Sequence, residues 1–96
     1  MIKHVVCFKL NENESPKKAK EVLLSMKGNV PMLRGIEVGI DELRSHRSFD
    51  VMLTVLLDDF DALKDYQIDP YHCDVVKKHM HAVTEKSISM DYTLDD

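Results

Sequence analysis

The sequence predicts an α+β domain of order β-α-β-β-α-β, built on a four-stranded antiparallel sheet. Three observations carry this. Apolar residues alternate with period two in four segments, they recur every three or four residues in the stretches between, and turn or cap residues separate the segments. The 96 residues, 44% apolar and 31% charged, make one domain spanning 1–96, because so short a chain has no room for two cores.

Residues 2–10 form the first strand, with Ile2, His4, Val6, Phe8 and Leu10 on one side and Lys3, Val5, Cys7 and Lys9 on the other. Ser15-Pro16 starts a helix, since serine accepts from free backbone amides and proline loses nothing at the first helical position. Ala19, Val22, Leu23 and Met26 give that helix its apolar stripe, predicting a span of 16–27 closed by Gly28 in a left-handed conformation. After the connector Val30-Pro31-Met32, Ile36, Val38 and Ile40 alternate with Glu37, Gly39 and Asp41 as a second strand. Asp41 to Ser48 reads as a polar, mobile loop.

In the third strand Phe49, Val51, Leu53, Val55 and Leu57 share one face, while Met52, Thr54 and Leu56 make the other nearly as apolar, which predicts a central position. Asp58 or Asp59 caps a short helix with Phe60, Leu63 and Tyr66 or Gln67 on one side. Asp69-Pro70 interrupts the run, and Pro70 begins a further helix whose edge is Tyr71, Val75, Val76, Met80 and Val83. Ile88, Met90, Tyr92 and Leu94 then alternate with Ser87, Ser89, Asp91 and Thr93 as the fourth strand.

In the usual solution for this order the helices cover one face of the sheet. The first and third strands are nevertheless apolar on both sides. The helix-free face must therefore meet something, most economically the same face of a second copy, and a homodimer is predicted. Thirteen basic against seventeen acidic residues give a net charge of −4 with the cations scattered, which argues against nucleic acid. No apolar run approaches the roughly 18–20 residues of a membrane span and no signal sequence leads the chain, so the expected compartment is the cytoplasm. Cys7 and Cys73 are too few and too far apart for a disulfide scaffold and are expected to be reduced.

Three fragments carry a likeness: Ile2-Lys3-His4-Val5-Val6, Ser48-Phe49-Asp50-Val51 and, most specifically, Asp65-Tyr66-Gln67-Ile68-Asp69-Pro70-Tyr71-His72. Together they resemble the stress-responsive A/B barrel domain family over essentially the whole chain. The resemblance implies a homodimeric α+β barrel in which two ferredoxin-like sheets face each other across a shared interior. A plant polyketide cyclase of this kind closes a ring by aldol-type chemistry without metal or organic cofactor, and its catalytic histidine and tyrosine match His72 and Tyr66. Carried over, neutral His72 removes a proton next to a carbonyl while the Tyr66 hydroxyl donates to the enolate oxygen. His4 matches a further histidine of the relative, and with Val6 and Phe8 it is a candidate cavity-lining residue, on the strand face assigned to the barrel interior. The family usually places a histidine directly before the proline; here Asp69 stands there, a good helix cap without imidazole chemistry.

Each candidate also has an ordinary explanation. Tyrosine packs its ring under helices, and a histidine in a first helical turn bonds locally. A metal site at His72, Cys73, His79 and His81 fails on geometry, because at ~100° per residue His79 and His81 point to nearly opposite sides. Lys17, Lys18 and Lys20 read as the solvated face of the first helix. Three functions follow: a small-molecule-binding homodimer taking an apolar or carbonyl-containing ligand, a cofactor-free cyclase-like enzyme using His72 and Tyr66, or a purely structural dimerisation module.

Overall fold

Strand β1 (Ile2–Leu10) occupies an inner position in the sheet, paired antiparallel with β3 (Val51–Leu57) on one side and β4 (Thr84–Thr93) on the other. Strand β2 (Gly35–Ile40) completes the order β2-β3-β1-β4. This computed structural model describes residues 1–95. The two strands apolar on both faces are the two inner ones, where neither edge nor face is surrendered to water without cost. The result is the expected ferredoxin-like β-α-β-β-α-β fold, with the helices on one side of the sheet.

Helix α1 (Pro16–Leu24) begins as the sequence requires, with Ser15 Oγ accepting from the Lys18 amide at 3.0 Å and Pro16 in the first turn. It ends three residues earlier than expected. The Ser25 hydroxyl donates back to the Val22 carbonyl, and the amides of Met26 and Lys27 bond the carbonyls three residues before them, tightening the helix into turns. Met26 is still fully buried, so the apolar stripe outlasts the helix. Gly28 adopts φ +84°, the left-handed conformation foreseen for it.

Asp59 caps α2 (Phe60–Ile68), its Oδ1 accepting from the Ala62 amide at 2.8 Å; Leu63 and Tyr66 are buried, whereas Phe60 and Gln67 are exposed. Asp69 then ends one helix and starts the next. Its Oδ1 accepts from the His72 amide at 3.0 Å, with Pro70 at the first helical position. The following stretch is not uniformly α-helical: a π-helical turn (His72–Lys77) precedes α3 (Lys78–Val83). Of the edge expected for this helix, Val75 is exposed while Val76, Met80 and Val83 are buried, consistent with the widened turn. β4 begins directly at Thr84, earlier than the alternation from Ser87 suggested.

The core lies between sheet and helices, formed by Leu10, Ala19, Leu23, Met26, Val38, Val51, Leu53, Val55, Leu57, Tyr66, Val76 and Met80 among others. The opposite face carries Val5 and Cys7 from β1, Met52, Thr54 and Leu56 from β3, and Ile88, Met90 and Tyr92 from β4. No element among the described residues covers it: Met52, Tyr92, Ile88 and Met90 are between 39% and 66% exposed.

One buried carboxylate locks the end of β1 to the start of β3. Asp50 Oδ2 accepts from the Leu10 amide at 2.7 Å, its Oδ1 accepts from Arg44 Nη2 at 2.7 Å, and Lys9 Nζ lies 3.7 Å away. Burial pushes this carboxyl up, but the Leu10 amide, Arg44 and Lys9 together hold it below the ordinary aspartate range. Arg44, at φ 56°, also donates to Asp41, so the loop expected to be mobile is tied down at its centre. Asp50→Ala strands the Leu10 amide and leaves Arg44 only its longer contact with Asp41, and is expected to cost about 2 kcal/mol of unfolding free energy. Asp50→Asn, which keeps an acceptor, should cost about half as much; urea denaturation of the two variants measures the difference.

Candidate functional site

Both ends of β1, Ile2 and Leu10, are buried, yet His4, Val6 and Phe8 on the same side are only half-buried. The helical layer stops short over the middle of the strand. What it leaves is a recess of about 170 Å³ between the sheet, α1, the π turn and α3, with Leu23, Leu53, Val76 and Met80 among its apolar walls. A larger groove of about 410 Å³ beside Lys9, Arg44 and Asp50 is polar, and those charged groups already pair with one another.

Three rings meet at the recess. Tyr66, 1% exposed, has its ring centroid 4.2 Å from that of His72 at an interplanar angle of 31°, and 5.7 Å from that of His4 in an edge-on arrangement. The Tyr66 hydroxyl donates to Met26 Sδ at 3.7 Å, a weak acceptor that is readily exchanged for a better one. Burial, reinforced by Asp69, pushes the phenol far above its usual range, so it stays a protonated donor.

His72 shifts in the opposite sense. Burial lowers its pKa and Lys77 and His4 add to that, outweighing Asp69 and the Tyr66 backbone, which act the other way, so the neutral imidazole is favoured. Among the described residues two buried side-chain atoms lack a hydrogen-bond partner, His72 Nδ1 and Thr84 Oγ1, and both residues line this recess. His4 Nδ1 bonds Asp91 Oδ1 across the β1–β4 pair, where the two residues face each other in register. A carboxylate only accepts, so the His4 Nδ1–H donates in this contact.

The five residues singled out from sequence, Tyr66, His72, His4, Val6 and Phe8, line the same recess. The face assigned to three of them is corrected. His4, Val6 and Phe8 look towards the helices of their own subunit, and it is Val5 and Cys7 that lie on the open sheet face. Alternation tells which residues share a side but, with both sides apolar, not which side the helices take.

Other residues in or bonded to the recess lining escaped the sequence. Asp91 is recognisable only from strand register, and Thr84 only from where β4 begins. Lys77 and His81, four residues apart on the last helix, were open to detection from spacing alone.

The sequence pattern of the Stress responsive A/B Barrel Domain family matches residues 2–94. A dimeric protein of unknown function and ferredoxin-like fold from Bacteroides fragilis is 24% identical, with a TM-score of 0.77 over 97% of this chain and 95% of its own. A Dabb family protein of ferredoxin-like fold from Mesorhizobium loti is 20% identical, with a TM-score of 0.73 over 99% of this chain and 97% of its own. A hydroxynitrile lyase from Passiflora edulis is 14% identical, with a TM-score of 0.76 over 99% of this chain and 93% of its own. No curated protein matches by sequence. With a family pattern running from the first residue of β1 to beyond the end of β4, on a fold of the same topology, the chain belongs to the stress-responsive A/B barrel domain family.

Proposed function

We propose that this protein is a homodimer that binds a small, largely apolar molecule in the recess beneath its helices. The observation that carries the reading is the break in the helical cover over His4, Val6 and Phe8. A core that could have closed there leaves an apolar hollow with three convergent rings and an unpartnered imidazole nitrogen. A concave, mostly apolar site with a few directed polar groups is the usual form of a small-molecule site. The dimer is supported by the uncovered sheet face, whose apolar side chains are numerous and contiguous across three strands. Two copies joined face to face bury both patches by a two-fold operation. Structural neighbours of ferredoxin-like fold from Bacteroides fragilis and Thermobifida fusca are described as dimeric. The cytoplasm remains the proposed compartment; no helix among the described residues is long and apolar enough to cross a membrane.

A second reading is favoured by the neutral, unpartnered state of His72 beside a tyrosine donor. In it His72 accepts a proton from carbon next to a carbonyl, and the electron pair left behind moves onto the carbonyl oxygen. The Tyr66 hydroxyl then leaves the Met26 sulfur and donates to that enolate oxygen. No cofactor enters this step. The Passiflora edulis neighbour is described as a lyase, so the fold is compatible with chemistry of its own.

Native mass spectrometry of the purified protein is expected to show a species of twice 11.1 kDa carrying a small molecule. Val6→Phe, which fills the recess, should abolish that adduct without altering the dimer, whereas Met90→Lys on the open face should give monomers at micromolar concentration. A wild-type monomer, or an adduct that survives Val6→Phe, contradicts the corresponding half of the reading. For the catalytic reading, the protein should speed hydrogen–deuterium exchange at the central carbon of pentane-2,4-dione, and His72→Ala should slow it by roughly 10²-fold or more.

The lowered pKa of His72 has a stability counterpart. The imidazole is neutral in the fold, so its contribution is intact above the unfolded value of 6.5 and declines as pH falls below it towards the lowered folded value. The thermal midpoint should therefore drop between pH 7.5 and pH 5.5, and His72→Asn should flatten the drop; a slope unchanged by that substitution assigns the effect elsewhere.

A further inference from the structure

The recess is apolar in its depth and cationic at its rim, in a protein that carries four more negative than positive charges. Among the described residues no aspartate or glutamate lines it. The one permanently charged lining side chain is Lys77, and the only other titratable groups are Tyr66 and three histidines, His4, His72 and His81.

Lys77 and His81 are exposed and four residues apart, which sets their Cβ atoms roughly 5–6 Å from each other on one helical face. No carboxylate among the described residues lies within ion-pair distance of Lys77, whereas Arg34 pairs with Asp58, and Lys9 and Arg44 with Asp50 and Asp41. Opposite these two side chains β4 supplies hydroxyls from Thr84 and Ser87. Thr84 Oγ1 is buried without a hydrogen-bond partner. A buried hydroxyl left unbonded costs free energy, and the observation that both such atoms of the described chain belong to this one recess points to a ligand with polar atoms of its own.

Resting on the reading of the recess as a binding site, we infer that its rim is a carboxylate subsite built by Lys77, His81 and Thr84. The ligand is then a small monocarboxylic acid. Its apolar body lies among Val6, Phe8, Leu53 and Met80, and its carboxylate sits at the mouth. Lys77 supplies the charge, Thr84 donates a hydrogen bond from its free hydroxyl, and His81 adds a ring N–H donor. A cationic ligand finds no counter-charge in the lining, and a wholly apolar one leaves the Thr84 hydroxyl unbonded.

A matched pair of probes tests this. Benzoate and benzamide share shape and ring but differ in charge. Titrated into the dimeric protein at pH 7 and followed by the NMR shifts of the recess methyl groups, benzoate should bind at least tenfold more tightly than benzamide. Lys77→Met should weaken benzoate by roughly tenfold and leave benzamide unchanged, the effect of losing one charge-assisted contact at an exposed rim. Lys77→Arg should restore it, and Thr84→Val should weaken benzoate several-fold with little effect on benzamide. Equal affinity for the two probes, or an equal loss of both in Lys77→Met, overturns the carboxylate subsite while the recess stands. Failure of both probes to shift any recess resonance up to millimolar concentration overturns the binding reading, and the subsite with it.

Discussion

The geometry of the site depends on Asp69. Its amide bonds the Tyr66 carbonyl at 3.2 Å and so closes α2, its carboxylate accepts from the His72 amide, and its carbonyl accepts from the Cys73 amide at 2.9 Å and so opens the next helix. A single residue, itself buried, thereby fixes the angle between two helices and the distance between the two rings they carry. Proline at the next position reinforces the turn, because the helix cannot run through it from the preceding side. A cap is usually a matter of local helix stability. Here it also sets Tyr66 against His72 and raises the tyrosine pKa through its charge. An aspartate at this position therefore preserves the architecture although it supplies no imidazole.

Around that fixed point the sheet does the rest. Asp50 joins the far end of β1 to β3, and the β1–β4 register brings His4 opposite Asp91. Strand pairing thus aims one imidazole into the recess and helix capping aims the other. The two arrive by independent routes, one through a contact between residues 87 apart in the chain and the other through a contact between residues 3 apart. What lies between them is Tyr66, fully buried and yet bonded through its hydroxyl only to a sulfur atom. A thioether is a weak acceptor for a buried phenol, so the hydroxyl has capacity for a stronger partner.

Much of this was legible from residue order. Alternation in residues 2–10 and 49–57 gave the two inner strands, Ser15-Pro16 and Asp69-Pro70 gave two helix starts, and the segment from Tyr66 to His72 located the rings. Other features were hidden for identifiable reasons. The end of α1 depends on a Ser25 hydroxyl that competes for a backbone carbonyl, and Met26 stays buried beyond it, so the stripe overstates the helix. The π turn keeps apolar residues near their helical positions while changing which of them face inward. The choice of helix-bearing face for His4 could not follow from a strand apolar on both sides. Asp91 and Thr84 belong to the site through register and chain reversal, which are properties of pairing and not of any local pattern.

The sheet is also a partition. The recess lies on its helical side and opens beside β4, whose residues on that side are exposed, while the bare apolar patch lies on the other side with only the thickness of the backbone between. Adjacent residues of β1 therefore serve opposite compartments: His4 and Val6 one, Val5 and Cys7 the other. The proposed self-association and the proposed occupancy would compete for no common atom, and saturating either would leave the other's binding surface intact. Any thermodynamic linkage between them has to pass through the shared strands, by a shift or stiffening of β1 itself.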